Sequence, residues 1–188
     1  MTLLNFKLAD SGLDRDDILN ISNEYMSWVA SGIEASFGIS EANFLGMSIP
    51  AYVESAIDKV CSDRPPRGAF YLVELNGEIA GMVGLRRLRD GVAEIKRLYV
   101  RPQFRGKRLG EAFLRKVLDD ARAFGYRHVF LDTAPFMLSA QRLYKSFGFN
   151  ECAPYIETEV PVALQARWHF MERDLSETDD VPLQMAIT

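Results

Sequence analysis

The stretch Arg105-Gly106-Lys107-Arg108-Leu109-Gly110 carries the clearest chemical signal in the chain. Three cations and two glycines fall where a strand-like run ends and a helix-like run begins. The first turn of a helix holds backbone N–H groups without partners and the positive end of the helix dipole. Glycine lets that backbone come close to a ligand. Together these make a site for an anion such as a pyrophosphate. The same letters also suit a basic loop that only joins a strand to a helix. The segment is not a P-loop, because the Gly-x-x-x-x-Gly-Lys-Ser/Thr spacing is missing. Nor is it a dinucleotide fingerprint, because the three-glycine spacing is missing and the strands before it are hairpins.

Other reactive side chains have two readings each. Tyr144 follows Ala140 and Leu143 and precedes Phe147 at i, i+3, i+4 and i+7, the spacing of a core stripe. Glu94 is a carboxylate near the middle of an apolar strand, an unusual place for a charge. It could act as a base, pair with Lys96 or Arg97, or face solvent. Asp132 and Thr133 could meet a substrate or cap a turn. His128 and His169 read as structural, and nothing beside them suggests a metal. Cys61 and Cys152 lack the surroundings of a nucleophile. Tyr25, Trp28 and Phe37 read as core residues.

The elements that would position these groups follow from periodicity. Residues 3–8 predict a first strand. Ile18, Ile21, Tyr25, Trp28 and Val29 recur at spacings of three and four, predicting a helix over 14–30. Residues 31–50, rich in Ser, Gly and Pro, predict a loop. Residues 51–62 predict a second helix, ended by Arg64-Pro65-Pro66-Arg67-Gly68. Strands over 70–75 and 78–87 flank Asn76-Gly77, a pair that tolerates the positive φ of a tight hairpin turn. Arg89-Asp90-Gly91 turns the chain into a third strand, over 92–100. Residues 109–124 predict a helix with Gly110, Phe113, Leu114, Val117, Leu118 and Ala121 on one face and Gly125 as its cap. A strand over 128–132 should lie parallel to the one at 92–100, given the helix between them. A helix over 137–147, closed by Gly148, and two strands within 149–175 complete a mixed α/β fold. Residues 1–175 read as one domain and 176–188 as a fraying tail.

Four segments in order also carry a family likeness. They are Ala93-Glu94-Ile95-Lys96-Arg97-Leu98-Tyr99-Val100-Arg101-Pro102, the basic loop, Leu131-Asp132-Thr133, and Ala140 through Phe149 with its Leu-Tyr-Lys-Ser-Phe-Gly-Phe ending. This region resembles the GNAT superfamily of acetyl-CoA-dependent N-acetyltransferases. The family's loop runs Arg or Gln, two residues, Gly, one residue, Gly or Ala. Arg105 and Gly110 match its ends, and Arg108 replaces the middle Gly.

The resemblance implies a mostly antiparallel sheet with a central pair of splayed parallel strands, flanked by helices. It implies acetyl-CoA as cosubstrate. The pantetheine arm would pair with Leu98, Tyr99 and Val100, and the pyrophosphate would lie on Arg105, Gly106, Lys107, Arg108, Leu109 and Gly110, with Glu111 adjoining. Met137 would touch the arm, at a position where relatives carry Asn. A lysine-like amine has a pKa of about 10.4, so a base is useful at neutral pH. Glu94 is the implied base. The Val100 N–H would stabilise charge on the thioester oxygen. Tyr144 would protonate the departing thiolate and also touch the cofactor. The N-terminal helical region would cover the acceptor, an amine of a small molecule or peptide. Edge-strand pairing into a homodimer is also implied.

Composition bounds the alternatives. The 188 residues are ordinary for a globular domain, and a formal charge of −4 argues against a nucleic-acid partner. That acidity hints only faintly at a cationic acceptor. Two cysteines cannot make a disulfide framework, which suits a reducing, cytoplasmic setting. The start lacks the pattern of a signal peptide, and no apolar run has a membrane helix's length. Two rival readings stand beside the enzyme: an acyl-CoA-binding sensor without catalysis, and a nucleic-acid domain using the basic 86–108 region.

Overall fold

The computed structural model describes residues 3–176. Among them, seven strands form one sheet in the order β1-β2-β3-β4-β5-β7-β6. These are β1 (Leu4–Leu8), β2 (Ala69–Leu75), β3 (Glu78–Arg89), β4 (Val92–Val100), β5 (His128–Thr133), β6 (Asn150–Cys152) and β7 (His169–Asp174). Only β4 and β5 run parallel. The expected mixed sheet with one central parallel pair is therefore present. The expected tail lies outside the described residues, except for Ser176.

The Asn76-Gly77 hairpin forms as predicted, with φ of 54 and 86 at its two turn residues. The α4 helix (Leu109–Ala123) buries Phe113, Leu114, Val117, Leu118 and Ala121 on one sheet face. Each fully buried large apolar side chain there contributes about 1.5–3 kcal/mol. Gly125 caps α4 at φ 83, while the Tyr126 N–H reaches back to the Ala121 carbonyl at 2.9 Å. The α5 helix (Leu138–Ser146) adds its apolar side to the same core.

The opposite sheet face is covered by α1 (Arg15–Phe37) and α3 (Ile49–Val60). Here the structure departs from the predicted loop. The α1 helix runs through Gly32 and stops at Gly38, and α2 (Glu41–Leu45) follows it. Gly32 reads as a helix breaker in sequence, yet its missing side chain makes room for Phe136. A Cβ at Gly32 would stand 2.4 Å from Phe136 Cε2. Residues 153–168 likewise hold a short helix, α6 (Val162–Gln165), where sequence suggested none. None of the helices in the described residues is long and apolar enough to cross a membrane.

The β4 strand carries an irregularity that the sequence did not signal. Lys96 lies opposite Gly84 and Tyr99 opposite Met82, so two residues of β4 face one of β3. Arg97 takes a left-handed φ of 55 to make this bulge. Strand alternation shifts by one as a result. Ala93 and Ile95 join the α4-side core, whereas Tyr99 joins the α1-side core.

Candidate functional site

The β4 and β5 strands pair only at Val92–His128, Ala93–Val129 and Glu94–Phe130. Beyond Glu94 they part, and β4 continues alone to Val100. The Arg101 N–H donates to the Ala80 carbonyl at 2.9 Å. Antiparallel alternation then turns the N–H and C=O of Val100 away from β3, toward the gap. Arg105 Nε donates to that carbonyl at 3.1 Å. The same guanidinium lies 5.7 Å from the Trp28 ring centre and 5.9 Å from that of Tyr99. Arg105 thus ties the basic loop to both β4 and α1.

The loop borders a cavity of about 300 Å³, lined in part by Val100, Arg105, Gly106, Leu109 and Gly110. The backbone N–H groups of Gly106, Lys107 and Arg108 find no acceptor among the described residues. Gly106 has φ 79 and Arg108 φ 57. The left-handed turn that glycine supplies is therefore made at Arg108 by a residue with a Cβ, at a cost of about 1–2 kcal/mol. The Arg108 side chain is 81% exposed and bonds Glu111 through Nε (3.0 Å) and Nη2 (2.7 Å). That contact holds the Glu111 carboxyl below its usual pKa. Arg108 and Glu111 line the cavity too. Lys107 stands outside its lining, with its ammonium 5.5 Å from the Phe104 ring centre.

A cavity of about 170 Å³ lies between α1, the parting strands and α5. Leu98, Asp132, Thr133, Met137 and Tyr144 line it. The Tyr144 ring packs in the core beside Phe149, so the stripe reading holds for the ring. Its hydroxyl has no hydrogen-bond partner among the described residues, and burial pushes its pKa up. Thr133 Oγ1 is buried in the same wall without a partner. Met137 is the residue before α5, and Gln141 Nε2 bonds the Ala134 and Pro135 carbonyls to fix the approach to that helix. Tyr25 and Trp28 also face this cavity and pack on Tyr99, while Phe37 stacks on Trp168. The Tyr99 side chain turns from the gap and donates to Glu24 Oε1 at 2.8 Å.

Glu94 sits at the vertex of the gap with no exposure at all. Arg86 Nε donates to one oxygen at 2.5 Å, and the Tyr155 hydroxyl donates to the other. Lys96 Nζ lies 3.6 Å away. So the pairing expected with Lys96 is loose, and the close cation is Arg86, which sequence reasoning missed. Burial pushes the Glu94 pKa up, with Lys96 and Arg86 opposing. Glu94 does not line the cavity that holds Tyr144; Asp132 does. Asp132 accepts from Trp168 Nε1 at 2.9 Å, and the Tyr155 hydroxyl oxygen, whose proton goes to Glu94, lies 3.4 Å from its other carboxylate oxygen. Tyr155 thus stands between the two carboxylates.

Residues 40–149 match the acetyltransferase (GNAT) family. That is well over half of the chain. The chain belongs to the GNAT family. An uncharacterised N-acetyltransferase of Schizosaccharomyces pombe is 36% identical over 105 residues, 55% of this chain and 64% of that one. N-acetylaspartate synthetase of Homo sapiens is 32% identical over 135 residues, 66% of this chain and 45% of that one. The chain thus spans less than two thirds of either relative. The solved PaiA N-acetyltransferase of Thermoplasma acidophilum, in complex with coenzyme A, superposes with a TM-score of 0.63 at 17% identity, over 92% of this chain and 99% of that one. It shares the fold.

The GNAT loop borders one cavity and Tyr144 another, and β4 and α5 contribute lining residues to both. The residues missed are Arg86, Tyr155, Glu159 and Trp168. Arg86 faces Glu94 across the β3–β4 hairpin, where a register irregularity between Arg87 and Arg89 displaces the simple pairing, and Tyr155, Glu159 and Trp168 come from the segment between β6 and β7, outside the motifs. Among the described residues no His, Cys, Asp or Glu cluster could hold a metal. Cys61 and Cys152 are free, and burial pushes both thiols up to about 11.

Proposed function

We propose that this GNAT chain moves an acetyl group from acetyl-CoA to a primary amine. The observation that carries the reading is the parting of β4 and β5 after Glu94, with an unpartnered Tyr144 hydroxyl and an unpartnered Thr133 Oγ1 at the opening. The N–H groups at 106–108, without acceptors among the described residues, and the Arg105 cation on the cavity wall suit a pyrophosphate. Leu98 and Val100 offer backbone to a pantetheine arm, and Met137 offers it an apolar contact.

When bound, acetyl-CoA supplies a thioester whose carbonyl carbon bonds to the amine nitrogen as its C–S bond breaks and the thiolate leaves. Val100 donates its N–H to the thioester oxygen as that oxygen gains charge. Tyr144 gives its proton to the departing sulfur and regains one from solvent. Its raised pKa keeps it protonated throughout the neutral range. Asp132 takes the proton of the amine. The Tyr155 hydroxyl can pass that proton on to Glu94, whose burial favours holding it. Glu94 is then the base at one remove, with Asp132 on the cavity wall.

A small-molecule or peptide amine fits the cavity, and a reducing, cytoplasmic setting fits two free thiols. Self-association through an outer strand, β1 or β6, fits the same reading. Thiol release from acetyl-CoA, followed across a panel of amines, tests the proposal. Turnover with any amine above the rate without one supports it. Binding of acetyl-CoA with no turnover on any amine favours the sensor.

A further inference from the structure

On the α3 side of β4 lies a larger cavity, of about 580 Å³. It shares Tyr52, Lys96, Arg97 and Glu159 with the cavity that holds Tyr144. An acceptor lying in the larger space can therefore present its nitrogen to the smaller one. Five basic side chains line the larger cavity against two acidic ones, in a chain whose net charge is −4. Four of the five are already ion-paired, Lys59, Arg86 and Lys96 with Glu159 and Arg87 with Asp90, which leaves Arg97 as the cation of this wall without a partner among the described residues.

Two residues define what the wall recognises. Glu159 receives Lys59 Nζ at 2.7 Å, Arg86 Nη1 at 2.9 Å and Lys96 Nζ at 3.1 Å on one carboxylate. A carboxylate belonging to the chain already fills a three-cation nest at the junction of the cavities. Arg97, at the bulge, lines both cavities, and its guanidinium has no hydrogen bond or ion pair among the described residues. A planar, always-charged fork aimed at the same junction suits a second carboxylate.

Building on the acetyltransferase reading, we propose that the acceptor is an amine that itself bears a carboxylate, an acidic amino acid or a close analogue. Its carboxylate binds Arg97 and competes with Glu159 for Lys96 and Arg86, while its amine faces Asp132 and Tyr144. A diamine would meet this wall with like charge.

The test measures acetyl-CoA binding by calorimetry and then acetyl transfer to L-aspartate, L-glutamate, phosphoethanolamine and putrescine. The wild type should use an acidic amino acid with kcat/KM at least about ten-fold above putrescine and phosphoethanolamine. Arg97→Gln should raise the KM for that acceptor about ten-fold, leaving acetyl-CoA affinity unchanged, and Arg97→Lys should recover part of the loss. Glu159→Gln should lower that KM a few-fold by removing the competing carboxylate, an improvement that a merely structural role would not produce. Preference for putrescine, or an Arg97→Gln variant with unchanged KM, overturns the inference while acetyl transfer stands. Preference for phosphoethanolamine overturns the carboxylate assignment. Absence of acetyl-CoA binding overturns both this inference and the enzyme reading.

Discussion

Glu94 and Phe130 are the last pair of residues across which β4 and β5 are joined. The strands part there, and the buried Glu94 carboxylate occupies the vertex. Arg86 and Tyr155 hold it from two sides, so the vertex is a fixed, polar and fully bonded point. Everything assigned to the chemistry lies just above it. Asp132 and Thr133 stand on one arm of the gap, Arg97 to Val100 on the other, and Tyr144 across the opening.

Removing the Tyr144 hydroxyl should leave the fold intact, because it has no partner among the described residues. Tyr144→Phe is expected to lower kcat by about 10²–10³ with little change in thermal stability or acetyl-CoA affinity. Unchanged turnover would remove the acid from the account.

Asp132 and Glu94 should behave differently when neutralised. Asp132→Asn is expected to lower kcat about a hundred-fold. Glu94→Gln leaves Arg86 partly uncompensated and should cost about 3 kcal/mol of stability in addition to activity, read in a denaturant titration.

The pH profile follows from the sign of the Glu94 shift. Its folded pKa is raised above the ordinary 4.5. The base is active only when ionised, so activity falls as pH drops through the raised value. The acid limb of kcat/KM should therefore lie above pH 4.5 and move in Tyr155→Phe. For folding the same shift acts in the other direction. Protonated Glu94 is favoured in the native state, so its contribution is greatest below 4.5 and declines as pH rises through the folded pKa.

Arg105 holds the Val100 carbonyl and the loop together. Arg105→Ala is expected to raise the acetyl-CoA Kd about ten-fold or more, and the binding should weaken as salt is added.

Arg108→Gly should raise stability by roughly 0.5–1 kcal/mol, because glycine adopts the left-handed φ without strain. Acetyl-CoA affinity should change little, since the guanidinium is engaged with Glu111. A thermal melt and a binding titration read both effects.

Local patterns made much of this fold legible. The Asn76-Gly77 turn, the α4 stripe and the Gly125 cap each depend on neighbours within a few residues, and each stands where periodicity put it. The length of α1 did not, because Gly32 is explained only by Phe136, about a hundred residues away in sequence. The bulge at Arg97 was hidden for a similar reason: a positive φ at Arg carries no compositional mark. The loop and Tyr144 were legible as motifs. The partners of Glu94 were not: Arg86 lies across the same hairpin, but the irregularity between Arg87 and Arg89 shifts the register that brings it opposite Glu94, and Tyr155 reaches it from the irregular segment after β6.

The most direct test of the central claim is a calorimetric titration of acetyl-CoA into the protein, with NAD as control. The account predicts saturable one-to-one binding of acetyl-CoA, with a Kd on the order of micromolar, and none of NAD. Absence of acetyl-CoA binding would contradict it, leaving a GNAT fold whose gap holds some other ligand.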